Sequence, residues 1–212
     1  MMPAPHGGRH APFLWCGLPT AEISREALTR LDDILDDEEH QRIDRLRVVQ
    51  SRRDAIAAHG LRRLLLAALT GRPAESFRFY TEVPRGKPLA RDLPGIDISL
   101  THCDGYAAAA AGRHGRIGID AEPASRRIEP ELVGPHSGGA PIVVWTFKEA
   151  LAKAEGSGLA VDLGRLSVDA RAPKLLAAPE SFGDPADWTL ERHCHAGFTI
   201  AIAFGPGAGA RV

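Results

Sequence analysis

The sequence predicts an α+β protein, and three observations carry that prediction. An apolar stripe with helical period runs from Thr20, through Ile23, Ala27, Leu31 and Ile34/Leu35. Short apolar or alternating segments bounded by Gly, Pro and Asp follow, as strands do. A faint repeat then links the two halves. His102-Cys103-Asp104-Gly105-Tyr106 precedes an alanine-rich strand, and His193-Cys194-His195-Ala196-Gly197-Phe198 precedes the apolar run Thr199–Phe204. Both read as turn, aromatic, buried strand, which hints at two similar α/β lobes.

Each element has a local reason. A second helical region extends from about Gln41 to Leu69, broken once, with Ile56, Leu64, Leu65 and Leu69 inward; Gly71 and Pro73 stop it. Ser76–Val83 alternates through Phe77 and Phe79, Ile96–Leu100 and Tyr106–Ala111 are short and apolar, and Arg116–Glu122 completes a first set of strands. A Gly/Pro-rich loop around Gly134–Pro141 leads into a helix holding Trp145–Ala154. Ser167–Ala170, Trp188–Arg192 and Phe198–Phe204 read as further strands, and Met1–Ala11 and Pro206–Val212 as loose ends.

Composition removes several classes of function. Lys+Arg 26 against Asp+Glu 27 gives a formal charge of −1, without the basic excess of a general nucleic-acid or membrane-surface binder. Cys16, Cys103 and Cys194 lie far apart with no CxxC spacing, which fits neither a disulfide framework nor a zinc site. Residues Met1–Pro12 lack the basic start and apolar run of a signal peptide, and no apolar stretch has transmembrane length. A soluble, cytoplasmic protein is expected.

Three clusters carry candidate chemistry. In Gly118-Ile119-Asp120-Ala121-Glu122, strand geometry puts Asp120 and Glu122 on one side. Carboxylates that close repel unless a proton or cation lies between them, and hard oxygen ligands suit Mg²⁺, which takes one or two carboxylates plus water and substrate phosphate. Taken alone, the pair reads more simply as two solvated acids at a strand end. In Trp145-Thr146-Phe147-Lys148-Glu149-Ala150-Leu151-Ala152-Lys153, helical spacing aligns Trp145, Glu149 and Lys153. Alone, that is a core tryptophan beside a surface ion pair. The third cluster is basic: Gly86-Lys87-Pro88 in a loop, Thr101-His102 at a strand end, and Arg42, Arg45, Arg47, Arg52 and Arg53 along one helical region. The acidic run Asp32–Glu39 beside those arginines predicts mutual surface pairing of little energetic value.

The set, in this order, resembles the 4′-phosphopantetheinyl transferase superfamily, and the length and two-halved layout resemble its larger two-lobed type, which activates peptide and polyketide synthase carrier domains. The resemblance spans roughly Arg42 to Phe204. It implies two α/β lobes related by a pseudo-twofold axis, here 1–115 and 116–212, with coenzyme A between them, and transfer of phosphopantetheine to a serine of an acyl or peptidyl carrier protein. By motif match it implies that Asp120, Glu122 and Glu149 hold Mg²⁺ and that Glu149 is the base for the serine hydroxyl. Lys153 is implied to contact the attacked phosphate, with Asp120, Glu149 and Lys153 the catalytic group. Thr101 and His102 match a coenzyme A phosphate-binding Ser-His pair, Lys87 matches a lysine near the adenosine end, and Arg53 matches an arginine of similar role.

The physics of the substrate agrees. Coenzyme A carries about −3.5 to −4 in total charge, which three bare carboxylates repel and a bound dication attracts. Three departures stand out. Thr101-His102-Cys103 occupies a place where Ser-His-Ser is common, Ala121 replaces a branched residue on the side away from the metal, and the stretch from Pro123 to Val144, where relatives receive the carrier, is short. The resemblance implies no nucleic-acid or membrane partner and a monomer, since one chain supplies both sides of the cleft. Two competing readings remain: a catalytically impaired relative that binds coenzyme A or a protein partner without transfer, and a polyanion binder using Arg42–Arg53.

Overall fold

Two antiparallel three-stranded sheets pack against each other through one face and carry a helix each on the other. A computed structural model describes residues 12–82, 86–134, 138–156 and 161–207. The expected loose end 1–11, residues 208–212 of the expected loose end Pro206–Val212, position 83 of the Ser76–Val83 strand, and 135–137 of the Gly/Pro-rich loop lie outside the described residues, while Pro206 is not loose but closes a strand.

The first sheet has the order β1-β5-β4, with β1 at Phe13–Pro19, β4 at Ile96–Cys103 and β5 at Tyr106–Arg113. The second has the order β6-β10-β9, with β6 at Gly115–Pro123, β9 at Thr189–His195 and β10 at Phe198–Pro206. The shared core between them joins Phe13, Trp15, Tyr106 and Ala110 to Ile117, Ile119, Ile200 and Ile202. On the far side of the first sheet lies α3, Val49–Thr70, packed through Ala57, Ala58 and Leu61 onto Ala107, Ala109 and Ala111. On the far side of the second lies α5, Pro141–Glu155, which follows the one-turn α4, Pro130–Val133, and packs through Phe147, Ala150 and Ala154 onto Ala201 and Ala203. Strand β5 is therefore buried on both faces, which is why its sequence is a run of alanines and not a polar/apolar alternation.

The faint repeat marks two equivalent hairpins. Strands β4 and β5 turn through Asp104-Gly105, and β9 and β10 turn through Ala196-Gly197. All four residues have positive φ (36° and 95°, 50° and 83°), the conformation of a two-residue type I′ turn.

Helix α1, Arg25–Asp33, and the break between α2, Asp37–Asp44, and α3 agree with the helical periods, and α3 ends at Gly71 in the left-handed conformation. Two local expectations change. The alternation Phe77, Phe79 is real as burial, but pairing is confined to β2, Phe79–Tyr80, against β3, Leu89–Ala90. The carbonyls of Ala74 and Phe77 are taken by the buried Arg63 guanidinium instead of a ladder. The acidic run also pairs inward. Glu39, closing a capping box with Asp36, binds Arg62 and Arg63 of α3, and all three are buried. Burial works to raise the Glu39 carboxyl, but His59, Arg62 and Arg63 outweigh it and hold the group well below its ordinary range. Strand β1 and the two-stranded sheet of β7, Ser167–Asp169, with β8, Lys174–Ala177, add pairing that the sequence reading does not contain for residues 13–19 and 174–177.

Candidate active site

Strands β4 and β6 run side by side where the two sheets meet, and side chains stitch them together. Asp97, Ser99, Thr101 and Cys103 alternate along β4 and point at β6. The Asp97 carboxylate accepts from Ile117 N at 2.7 Å, Ser99 Oγ accepts from Ile119 N at 3.1 Å, and Cys103 Sγ donates to Ala121 O at 2.9 Å. Lys87 closes the same seam, its buried ammonium donating to Asp97 and to Ile117 O. Burial lowers the Lys87 pKa, with Asp97 opposing. Thr101 Oγ1 differs from its neighbours: it donates to the carboxylate of Asp120 at 3.1 Å.

On β6 the α5-facing residues are Gly118, Asp120 and Glu122, while Ile117, Ile119 and Ala121 enter the shared core. A side chain at Gly118 would overlap the Ala150 carbonyl oxygen and the Ala154 amide. Its absence lets α5 lie directly on β6 and brings Lys153 onto the acids. Lys153 Nζ donates to Asp120 Oδ1 at 2.6 Å and to Ile119 O at 3.3 Å. The helical ion pair expected from Glu149 and Lys153 in isolation is thus replaced by a bond from helix to sheet.

Asp120 and Glu122 are both buried, at 5% and 8% exposure. Glu149 on α5 is half-buried, and its carboxylate has no hydrogen bond to another described residue. Burial, and next the charge of Asp120, raise the Glu149 pKa above the ordinary carboxyl range; Lys153 pulls the other way and Glu122 adds to the rise. Burial also raises Glu122, opposed by its hydrogen bond from Arg126 and reinforced by Asp120. The three acids therefore feel one another's charge, although among the described residues no three His, Cys, Asp or Glu side chains form a metal-binding group.

Two buried atoms test whether a cation fits. Asp120 Oδ2 and Thr199 Oγ1 have no hydrogen-bond partner. Thr199 stands directly across from Glu122 in the β6–β10 register, and Ala201 across from Asp120, so both orphaned oxygens lie on the α5 side of the second sheet. Orphaned buried oxygens are rare and mark a missing partner. A hydrated dication that needs only one or two carboxylates suits this pair. The acids fit Mg²⁺.

Beside the acids lies a cleft of about 280 Å³, lined by Arg42, His59, Arg62, Lys87 and Lys153 with apolar walls from Pro88, Ile98 and Leu100, and with no carboxylate among the described lining residues. Arg62 spans the cleft and the buried network: its guanidinium binds Glu39, stacks 3.5 Å from the Phe79 ring centroid, and leaves Nε without a partner. Burial lowers its pKa to about 10.

The remaining predicted residues fall as follows. His102 is largely buried, its pKa lowered by burial and then by His59, with Asp54 opposing. Arg53 donates to Thr20 O and Ile23 O, and Arg52 donates to Asp44 O. Both are engaged with the chain itself, while Arg42, Arg45 and Arg47 stay exposed on the surface. Burial, then Glu122 and Asp120, push the Cys103 thiol up to about 12, so it is protonated at neutral pH. Arg62, His59, Arg126 and Thr199 join the site without having been singled out in sequence. For Arg126 the signal was its four-residue spacing from Glu122.

Comparison with proteins of established function gives the class first: the chain is similar to a phosphopantetheinyl transferase, which supports a transferase of that superfamily. The relative is the 4′-phosphopantetheinyl transferase Npt of Nocardia iowensis, 39% identical over 109 residues, a match covering 50% of this chain and 46% of the relative. The chain thus spans about half the length of the curated relative it matches. No protein-family model matches the chain. Among the described residues no helix is long and apolar enough to cross a membrane.

Proposed function

We propose that this protein moves the 4′-phosphopantetheine group from coenzyme A to a serine hydroxyl of an acyl or peptidyl carrier protein, releasing adenosine 3′,5′-bisphosphate. The observation that carries this reading is the abutment at Lys153 of a cation-lined cleft and a buried acid pair with an orphaned oxygen. An anionic substrate enters the first and presents its pyrophosphate to the second. Lobes 1–115 and 116–212, related by a pseudo-twofold axis as in the larger type, would supply the two walls.

Asp120 and Glu122, with Glu149 opposite on α5, would hold Mg²⁺, which when bound offsets the negative charge of the pyrophosphate and of the leaving phosphate. Thr101 and Lys153 hold Asp120 in place through Oδ1, leaving Oδ2 open. Lys153, placed between acids and cleft, orients the attacked phosphoryl group. Arg42 and Arg62 take the remaining phosphate charge, with His59, whose pKa burial lowers, beside them as a neutral ring. The serine oxygen attacks the pantetheine-side phosphorus, the bond to the adenosine bisphosphate oxygen breaks, and the serine proton passes to Glu149.

Intact mass after mixing protein, coenzyme A, Mg²⁺ and several apo carrier domains tests the reading. A phosphopantetheine adduct is expected, with Asp120→Ala and Glu149→Ala lowering the rate at least about 100-fold, the scale of lost acid–base and electrostatic catalysis. Full activity in Glu149→Ala would sink the assignment of the base.

A further inference from the structure

The acid pair is not bare. Lys153 occupies Asp120 Oδ1, and Arg126 occupies Glu122 Oε1. The two cations are held differently. Lys153 is built into α5, is 31% exposed at its side chain, and bonds to Asp120 and to the Ile119 carbonyl together. Arg126 sits in the turn after β6, where its amide donates to Pro123 O at 2.9 Å, and its side chain is 48% exposed. It spans only four residues to reach an acid that is 10% exposed at its side chain. A half-exposed arginine side chain on a nearly buried carboxylate is an easily displaced counter-ion: water can take it back at little cost, while the acid needs a positive partner.

The geometry points to Arg126 as an internal competitor for the divalent cation, occupying Glu122 until the metal takes that oxygen. This rests on the acid-pair reading proposed above and adds a residue to it. Displaced, the guanidinium remains at the mouth of the site on its short tether. Three acids against Lys153 and Arg126 leave one net negative charge; a dication turns the balance positive. Arg126 therefore lowers the intrinsic metal affinity and adds to the positive charge that an anionic ligand meets once metal is bound, so metal and anion binding support each other.

Mn²⁺ titration by calorimetry or electron paramagnetic resonance tests this on chelator-treated protein without coenzyme A. Arg126→Gln is expected to bind Mn²⁺ about threefold to tenfold more tightly than wild type, in line with removal of a partly exposed ion pair at a buried acid. Arg126→Lys, which keeps the charge, is expected to stay within about twofold of wild type. Equal affinity in wild type and Arg126→Gln, or weaker binding by Arg126→Gln, overturns the proposal, the second outcome making Arg126 an orienting partner of Glu122. Absence of Mn²⁺ uptake by wild type overturns the acid-pair reading itself, and the competitor role with it.

Discussion

Glu149 shows at the level of one residue how a catalytic assignment conflicts with stability. Burial and the charge of Asp120 raise its folded-state pKa, so the folded protein holds the proton more tightly than the unfolded chain does. That contribution is present below the ordinary glutamate range and is lost as pH rises through the raised folded value, leaving an ionised group that costs stability at neutral pH. Glu149→Gln removes the charge and keeps the shape. With a chelator present near pH 7.5, the variant should melt about 1–3 °C higher than wild type, with the difference fading as the pH is lowered through the acid range. An unchanged or lower melting temperature would mean that Glu149 is not under electrostatic strain. The sequence places Glu149 four residues from Lys153, but it does not show that Lys153 bonds to Asp120 on another element.

Helix α5 and strand β6 make the site together, and Gly118 sets their distance. Its Cβ would meet backbone atoms of Ala150 and Ala154, which cannot rotate aside as a side chain can. Gly118→Ala is expected to cost about 2–3 kcal/mol in urea unfolding and to remove the proposed transfer activity, because α5 carries both Glu149 and Lys153. A variant with wild-type stability and activity would show that α5 does not depend on this contact. Elements with a strong local period, α1, α3 and α5, were legible as sequence. Strand β2 was not read correctly: alternation of Phe77 and Phe79 signals burial, and only the tertiary reach of Arg63 shows that the neighbouring carbonyls are already taken. The polar alternation Asp97, Ser99, Thr101, Cys103 was present in the sequence as a period-two signal, but its meaning as a seam needs the facing strand.

At the scale of the whole molecule, the seam between β4 and β6 decides how Lys87 is to be understood. The resemblance to transferases places it near the adenosine end of coenzyme A. Its ammonium here is bonded to Asp97 and Ile117 O, inside the junction of the two sheets, while other parts of it line the cleft. Lys87→Ala leaves the half-buried Asp97 with a single amide partner and should lower unfolding free energy by about 1–2 kcal/mol, with weaker coenzyme A binding as a consequence. Weaker binding at unchanged stability would instead place the ammonium on the ligand.

The sequence by itself determined the α+β class, the main helices, the turns before both buried strands, and the acids and cations that carry the resemblance to a transferase, because period, turn chemistry and charge spacing are local properties. Tertiary structure decided what those groups face: Lys153 and Thr101 on Asp120, Lys87 inside the seam, and the acidic helix α2 bound to the buried Arg62 and Arg63. Those pairings join residues from different elements, and their strength comes from exclusion of water, which no spacing along the chain records.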